Sequence, residues 1–286
     1  MNEIRYVNVP ENFITIDVEE WFHILNANIP EKKDWETLPS IVEKGTYKIL
    51  EILEKSNNKA TFFVLGWVAE KYPKLIRDIS NLGHEIASHG YYHEELYKIS
   101  EERWKEDVLK SKYILEDITG KEVIGYRAPG FSSLNYVETI KKLSDLGFKY
   151  DSSLFPAKRE TGGNNKFDSR PFYLIQKGLK IYEFPVSVYK NGVFSIPLGG
   201  GYSRITPIPL LRHVIKKVKK LNNGYFLFYL HPREVLKEQP KLKNLSITKR
   251  FKTYVGLRNF DKKIDFLNQN YNFICVRDSS IFKMSK

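Results

Sequence analysis

A chain of 286 residues, 42% hydrophobic and 28% charged, has the balance of an ordinary globular protein, and its length suits one large α/β domain or two small ones. No run of about 18 apolar residues occurs, which excludes a membrane-spanning helix; no basic segment with a cleavage site precedes the first apolar run, so a cytoplasmic location is expected. The net charge of +12 favours anionic partners, but the lysines are spread among acids as on solvated faces, so weak attraction to an anionic membrane or polymer is expected and specific nucleic-acid binding is not.

In chain order, strand-like runs rich in β-branched and aromatic residues lie at Phe13–Val18, Lys59–Leu65, His84–Ser88, Val123–Arg127, Phe148–Asp151, Lys180–Val188, Tyr225–Leu230 and Asn272–Arg277. Helical spacing appears between them, through Ile41, Tyr47, Ile49, Leu50 and Leu53, and again through Trp104, Val108, Leu109, Tyr113 and Ile114. Ser100 before two glutamates reads as an N-cap, and Gly83 and Gly147 each close a helix just ahead of a strand. Residues 156–180 break the pattern. Their Glu160-Thr161-Gly162-Gly163-Asn164-Asn165 stretch predicts a long surface loop, a candidate lid or substrate-binding insertion. Gly199-Gly200-Gly201-Tyr202-Ser203-Arg204 predicts either a substrate-contacting loop or a plain turn. The densest cationic cluster, Lys216-Lys217-Lys219-Lys220, falls on a helix whose other faces carry Leu210, Leu211, Val214, Ile215 and Val218. The one cysteine, Cys275, excludes an intramolecular disulfide and reads as a buried, inert thiol.

Strand–helix alternation from end to end implies a parallel sheet, open or closed into a barrel. Reactive residues of such barrels gather at the carboxyl ends of the strands. Asp17, His89, Arg127, Asp151 and His231 all stand at or just past the end of an apolar run.

In Thr15-Ile16-Asp17-Val18-Glu19, alternation puts Asp17 and Glu19 on one face, and two carboxylates so close call for a cation or a shared proton. The alternative is an acidic, water-exposed turn. His89 and His93, four apart, meet on one face if the segment is helical; two imidazoles and a carboxylate are a common ligand set for catalytic zinc. His84 reads instead as a packed histidine. Arg127 could orient a catalytic carboxylate, and the Pro129-Gly130 turn could aim a backbone N–H at a developing oxyanion. His231 ends the buried run Phe226–Leu230 and could donate a proton to a leaving amine, with Asp151 as the carboxylate that fixes its ring.

These segments, in this order over residues 12–235, resemble the polysaccharide deacetylase (NodB-homology) family, the fourth carbohydrate esterase family. Thr15–Glu19 resembles its first motif, Ser88–His93 its second, Arg127–Gly130 its third and Leu230–Pro232 its last. Val18 stands where the common motif has a metal-binding aspartate; a variant subgroup with Asp-Val-Glu spacing is closer, and there the acid two residues on takes the ligand role. The fourth motif usually carries a tryptophan, whereas Tyr150-Asp151-Ser152-Ser153 keeps only the acid.

The resemblance implies a distorted (β/α)7 barrel forming a single domain over 1–286, with a helix and strand at 250–280 completing it. It implies hydrolysis of an acetamido group on an N-acetylated glycan or sugar-linked precursor. Glu19, His89 and His93 would hold a divalent metal, zinc by default, with cobalt, nickel or iron fitting similar ligands. Asp17 would be the base, Arg127 its partner, Gly130 an oxyanion donor and His231 the acid oriented by Asp151. Two other readings stay open: an allantoinase-like cyclic-amide hydrolase on the same scaffold, and a non-catalytic glycan-binding protein.

Overall fold

The computed structural model describes residues 4–25, 30–133, 135–159, 161–192, 194–242 and 245–283. Its strands are β1 (Arg5–Tyr6), β2 (Asn12–Val18), β3 (Thr61–Val64), β4 (Glu85–Ser88), β5 (Gly125–Tyr126), β6 (Tyr150–Asp151), β7 (Phe172–Gln176), β8 (Leu179–Glu183), β9 (Val188–Asn191), β10 (Phe194–Pro197) and β11 (Phe226–Leu230). Nine of them form one sheet in the order β1-β7-β8-β6-β5-β4-β3-β2-β11. From β11 to β8 the neighbours are parallel, so seven parallel strands make up the body of the sheet, with β7 and β1 added antiparallel.

The sheet curls, and irregular chain bridges its two sides. Ser187, just past β8, donates its N–H to Leu227 O (3.3 Å), its hydroxyl accepts from Leu227 N (2.9 Å), and Tyr229 N donates to Leu198 O (3.3 Å). This is the distorted seven-unit α/β architecture expected of the NodB fold. Alternation divides the packing. Ile14, Ile16, Val18, Phe62 and Val64 face the helices, whereas Phe13, Phe63, Ala87, Tyr150, Phe184 and Tyr229 fill the interior. Thr15 and Asp17 share the inner face with Phe13, which delivers Asp17 to the top of the barrel.

The helices expected near 41–53 and 104–114 are Val42–Glu54 and Glu101–Thr119. The second has Ser100 as N-cap, its side chain accepting from Arg103 N, and a left-handed Gly120 after its end. Gly83 and Gly147 take positive φ, as their places between helix and strand require. Among the described residues, no helix is long and apolar enough to cross a membrane.

Three expectations fail. The run Asn272–Arg277 is not a strand, because it crosses the lower ends of other strands instead of lying along one. Its N–H groups go in turn to Asn58 Oδ1 (from Phe273), Asn12 O (from Ile274), Thr61 Oγ1 (from Val276) and Glu85 Oε2 (from Arg277). The loop at 156–180 contains β7, whose hairpin with β8 turns at Lys177 and Gly178, both with positive φ; Glu160 lies outside the described residues. The run Lys180–Val188 is split, its first part in β8 and Val188 opening β9. Cys275 is buried as expected, its thiol pushed up by desolvation and placed 3.3 Å from Ala60 O.

Candidate metal centre and active site

The strands end at one rim, and the candidate residues stand there. Asp17 is the penultimate residue of β2 and Glu19 follows its end; both are buried and line one cavity of about 800 Å³. Glu20 turns away, as alternation requires, and its carboxylate accepts Ile41 N (3.1 Å) and Val42 N (3.4 Å) at the start of the helix Val42–Glu54.

His89 and His93 follow β4, but no helix joins them. Gly90 (φ 74°) and His93 (φ 58°) are left-handed, and the bend is held by Asp107, which accepts Tyr91 N (2.6 Å) and Tyr92 N (3.0 Å). A Cβ on Gly90 would lie 2.8 Å from Asp107 Oδ2, so the bend and its anchor exclude larger residues there. His93 Nε2 stands 2.7 Å and His89 Nε2 4.0 Å from Glu19 Oε2.

The donor chemistry fits a divalent ion. His89 Nδ1 lies 2.8 Å from Arg127 O, which can only accept, so Nδ1 carries the proton and Nε2 presents its lone pair towards Glu19. The donor atoms of Glu19, His89 and His93 all lie within 4.8 Å of one another, and all three residues are buried. Two imidazoles and one carboxylate leave a position open, as catalytic zinc sites do. Burial pulls His89 down to about 4, so it stays neutral and available as a ligand. For Glu19 burial opposes charge, yet the neighbouring His93, His231 and His89 outweigh it and hold the carboxyl well below its ordinary range.

Arg127 is fully buried beneath this trio. Its Nη1 donates to Asp17 Oδ1 (2.6 Å) and Thr15 Oγ1 (2.9 Å), Nη2 to Ser152 Oγ (2.8 Å) and Nε to Ser152 O (3.0 Å). The guanidinium also lies 4.1 Å from the Phe63 ring, the residue registered opposite Asp17 on β3. Asp17 is thereby fixed in one rotamer. Removing one member of such a buried pair costs about 3–5 kcal/mol, because the other charge is left uncompensated.

His231 closes the site from the end of β11, with Nε2 3.8 Å from Asp17 Oδ2 and 3.7 Å from Glu19 Oε1. Its Nδ1 is 3.1 Å from Glu234 Oε2, and the same carboxylate accepts His231 N at 3.0 Å. The partner of His231 is therefore Glu234, not Asp151. Asp151 points beneath the site, where it accepts Ser153 Oγ (2.5 Å) and Tyr136 OH (3.5 Å) and faces the buried Glu183. Burial raises Asp151 and, far more, Glu183, so these two do not both stay charged.

Burial opposes charge on His231, but Glu19, Glu234 and Asp17 outweigh it and raise its pKa. Glu234 is also buried, yet His231, Arg204 and Arg233 hold it down to about 2. Arg204 Nε sits 3.0 Å from Glu234 Oε1.

Gly130 lies on the cavity wall with φ 63°, and a Cβ there would sit 2.3 Å from Leu25 Cδ1. Gly199 and Gly200 pack on the Tyr229 ring, and Gly200 starts a helix, Gly200–Ile205, that lines the cavity. His84 is a packed histidine, its Nδ1 accepting Ala60 N (3.1 Å).

Three contributors are missed by sequence reasoning. Glu234 had a local signal, since a proline and then a glutamate three after His231 is capping-box spacing. Arg204 was marked only as the end of the Gly199–Arg204 stretch, with no role of its own, and His23 had no signal. The His23 ring stacks 5.7 Å from His93, with Nδ1 accepting Glu20 N (3.2 Å) and Nε2 buried without a partner among the described residues.

Residues 33–150 match the profile of the polysaccharide deacetylase family, and residues 152–280 match a domain of unknown function, DUF3473. A peptidoglycan-N-acetylglucosamine deacetylase of Bacillus cereus is 43% identical over 75 residues, which are 26% of this chain and 27% of that protein. The chain thus spans about a quarter of that relative's length. Among solved structures, a Mycobacterium smegmatis protein assigned to the polysaccharide deacetylases superposes with a TM-score of 0.60 at 21% identity, covering 94% of this chain and 96% of the other. An allantoinase gives 0.61 at 16% identity, covering 94% and 89%; at such identities both likenesses speak for the fold alone. Over residues 33–150 the chain is thus similar to the polysaccharide deacetylase family.

Proposed function

We propose that the chain is a metal-dependent deacetylase that hydrolyses the acetamido group of an N-acetylated sugar in a surface glycan or its precursor. One observation carries this reading: the Glu19–His89–His93 trio stands between an arginine-held carboxylate, Asp17, and a carboxylate-held imidazole, His231. The peptidoglycan deacetylase named above supports an N-acetylated glycan as substrate. Residues of both matched segments meet at this site, so we read 1–286 as one catalytic unit.

Glu19, His89 and His93 would hold the ion, and their donor set favours zinc. When bound, such an ion supplies Lewis acidity, lowering the pKa of a water and polarising the amide oxygen. Asp17, aimed by Arg127, takes the proton that the attacking water loses. Gly130, on the cavity wall, would offer its N–H to the oxygen that gains charge as the carbonyl carbon becomes tetrahedral. His231, its pKa raised by Glu19, Glu234 and Asp17, gives its proton to the amine nitrogen as the C–N bond breaks. Acetate and a free sugar amine result.

The test is acetate release from a panel of N-acetylated oligosaccharides, with and without a chelator. Release that stops on chelation and returns with zinc is expected. Hydrolysis of a cyclic amide without acetate would favour the allantoinase-like alternative, and silence on every substrate by the zinc-loaded protein would overturn the reading.

A further inference from the structure

The outer part of the cavity differs from its floor. The acids that line it, Asp17, Glu19 and Glu234, sit at the floor, whereas Tyr202, Ile205, Ile247 and Phe251 wall the mouth. These four are 47%, 54%, 88% and 63% exposed. Ile247 and Phe251 are one turn apart on the helix Ile247–Tyr254, whose only buried residue is Thr253. A cluster of exposed apolar side chains on a cavity rim marks a binding surface, since water alone disfavours it. The cavity's volume, about 800 Å³, is in the upper part of the range for ligand sites and exceeds what one sugar ring fills.

The wall also carries cations. Arg159 and Lys252 line it, and the Arg159 guanidinium is held by aromatic rings, 4.3 Å from Phe155 and 5.0 Å from Phe131. Its Nη1 is buried with no acceptor among the described residues. A guanidinium N–H kept from water without an acceptor is costly, so this arrangement suits an anion that arrives with the ligand.

We propose that the substrate is an N-acetylated sugar joined through a phosphate to a hydrocarbon chain, a lipid-linked saccharide. The sugar reaches the floor, the phosphate meets Arg159 and Lys252, and the chain lies along Ile205, Ile247 and Phe251. This inference rests on the deacetylase reading and narrows its substrate class. A soluble polysaccharide would leave the apolar rim in water; burying it against a hydrocarbon gains roughly fourfold in affinity per methylene.

The experiment uses the zinc-loaded full chain and four probes: N-acetylglucosamine 1-phosphate as its octyl ester, the same as its methyl ester, octyl N-acetylglucosaminide without phosphate, and chitopentaose. Binding is followed by titration calorimetry and hydrolysis by acetate release. The octyl phosphate ester is expected to bind at least 100-fold tighter than the methyl ester and at least tenfold tighter than the neutral octyl glycoside. Ile247→Ser and Phe251→Ser, both at exposed positions, are each expected to cut the octyl-over-methyl ratio about tenfold. Arg159→Gln is expected to cut the advantage of the phosphate similarly. Equal binding of octyl and methyl esters, or chitopentaose as the best substrate, would overturn the inference while leaving the deacetylase reading in place. An octyl preference without acetate from any probe would support the lipid-binding mouth and sink that reading instead. Binding to sugar-free phosphatidylglycerol vesicles that depends on Phe251, with no octyl preference, would assign this face to membrane contact and overturn the proposal.

Discussion

The floor and the mouth of the cavity are built on different principles. At the floor Asp17, His89 and His231 are each fixed from behind. Arg127 satisfies Asp17 and is itself tied to Thr15 and Ser152, His89 is tied to Arg127 O, and His231 to Glu234. The mouth is carried largely by two short helices, Gly200–Ile205 and Ile247–Tyr254, and its apolar side chains are largely exposed. A floor on strand ends keeps reacting groups in place to within fractions of an ångström, as chemistry requires. A mouth on peripheral elements can change its occupant without disturbing that geometry.

The contrast can be broken at the floor first. Asp17→Asn preserves shape but removes the proton acceptor, so turnover is expected to fall about 10³-fold, in the range for lost acid–base catalysis, with an unchanged circular dichroism spectrum. Retention of a tenth of the activity would show that Asp17 is not the base. A smaller loss is expected for Glu234→Gln, about 10- to 100-fold. Glu234 helps to raise the pKa of His231, so its neutral replacement lowers that pKa. The acid form is then lost at lower pH, and the alkaline limb of the kcat profile moves down. An unmoved limb would contradict the role given to Glu234.

Stability separates the cavity wall from the β7–β8 turn. Gly130→Ala places a Cβ 2.3 Å from Leu25 Cδ1 at φ 63°, whereas Gly178→Ala, at φ 81° in the β7–β8 turn, meets nothing within 4 Å. Both incur a left-handed penalty of about 1–2 kcal/mol, and the crowded site adds about 1–3 kcal/mol. Urea denaturation should therefore rank Gly130→Ala as the more damaging; equal costs would mean that Leu25 yields freely.

The smallest effect lies below the site. Burial, helped by Lys59, lowers His84 to about 4 from 6.5. Between those values the unfolded chain binds a proton that the folded chain refuses, so stability falls as pH drops from 6.5 towards 4. The loss is about 2 kcal/mol, and it should be absent from the difference between pH 7 and pH 4.5 in His84→Asn. An identical pH dependence in both proteins would refute this.

The same contrast governs what could be read from the sequence. The strand ends were legible because Phe13–Val18 and Phe226–Leu230 are short apolar runs with a polar residue, Asp17 or His231, at or just past the end, and alternation put Glu19 with Asp17 and sent Glu20 away. The His89–His93 bend was not, since spacing of four is shared by a helix and by a turn containing a left-handed glycine. Asp151 was given the role of Glu234 because a strand end looks alike whether its side chain points up to the site or beneath it. The run Asn272–Arg277 has strand composition, but it serves other strands' ends with scattered partners, a tertiary arrangement that composition does not record. The mouth left least trace, because apolar residues on its two helices resemble core-facing stripes until the fold shows them largely exposed.

The central claim is that Glu19, with His89 and His93, holds a catalytic divalent ion. The most direct test is the metal content of the purified chain and of Glu19→Gln, measured by mass spectrometry after equilibration with limiting zinc. One ion per chain is expected in the first. In the variant, loss of a carboxylate ligand should weaken binding about 100-fold or more and abolish acetate release. An unchanged zinc affinity in Glu19→Gln would contradict the account.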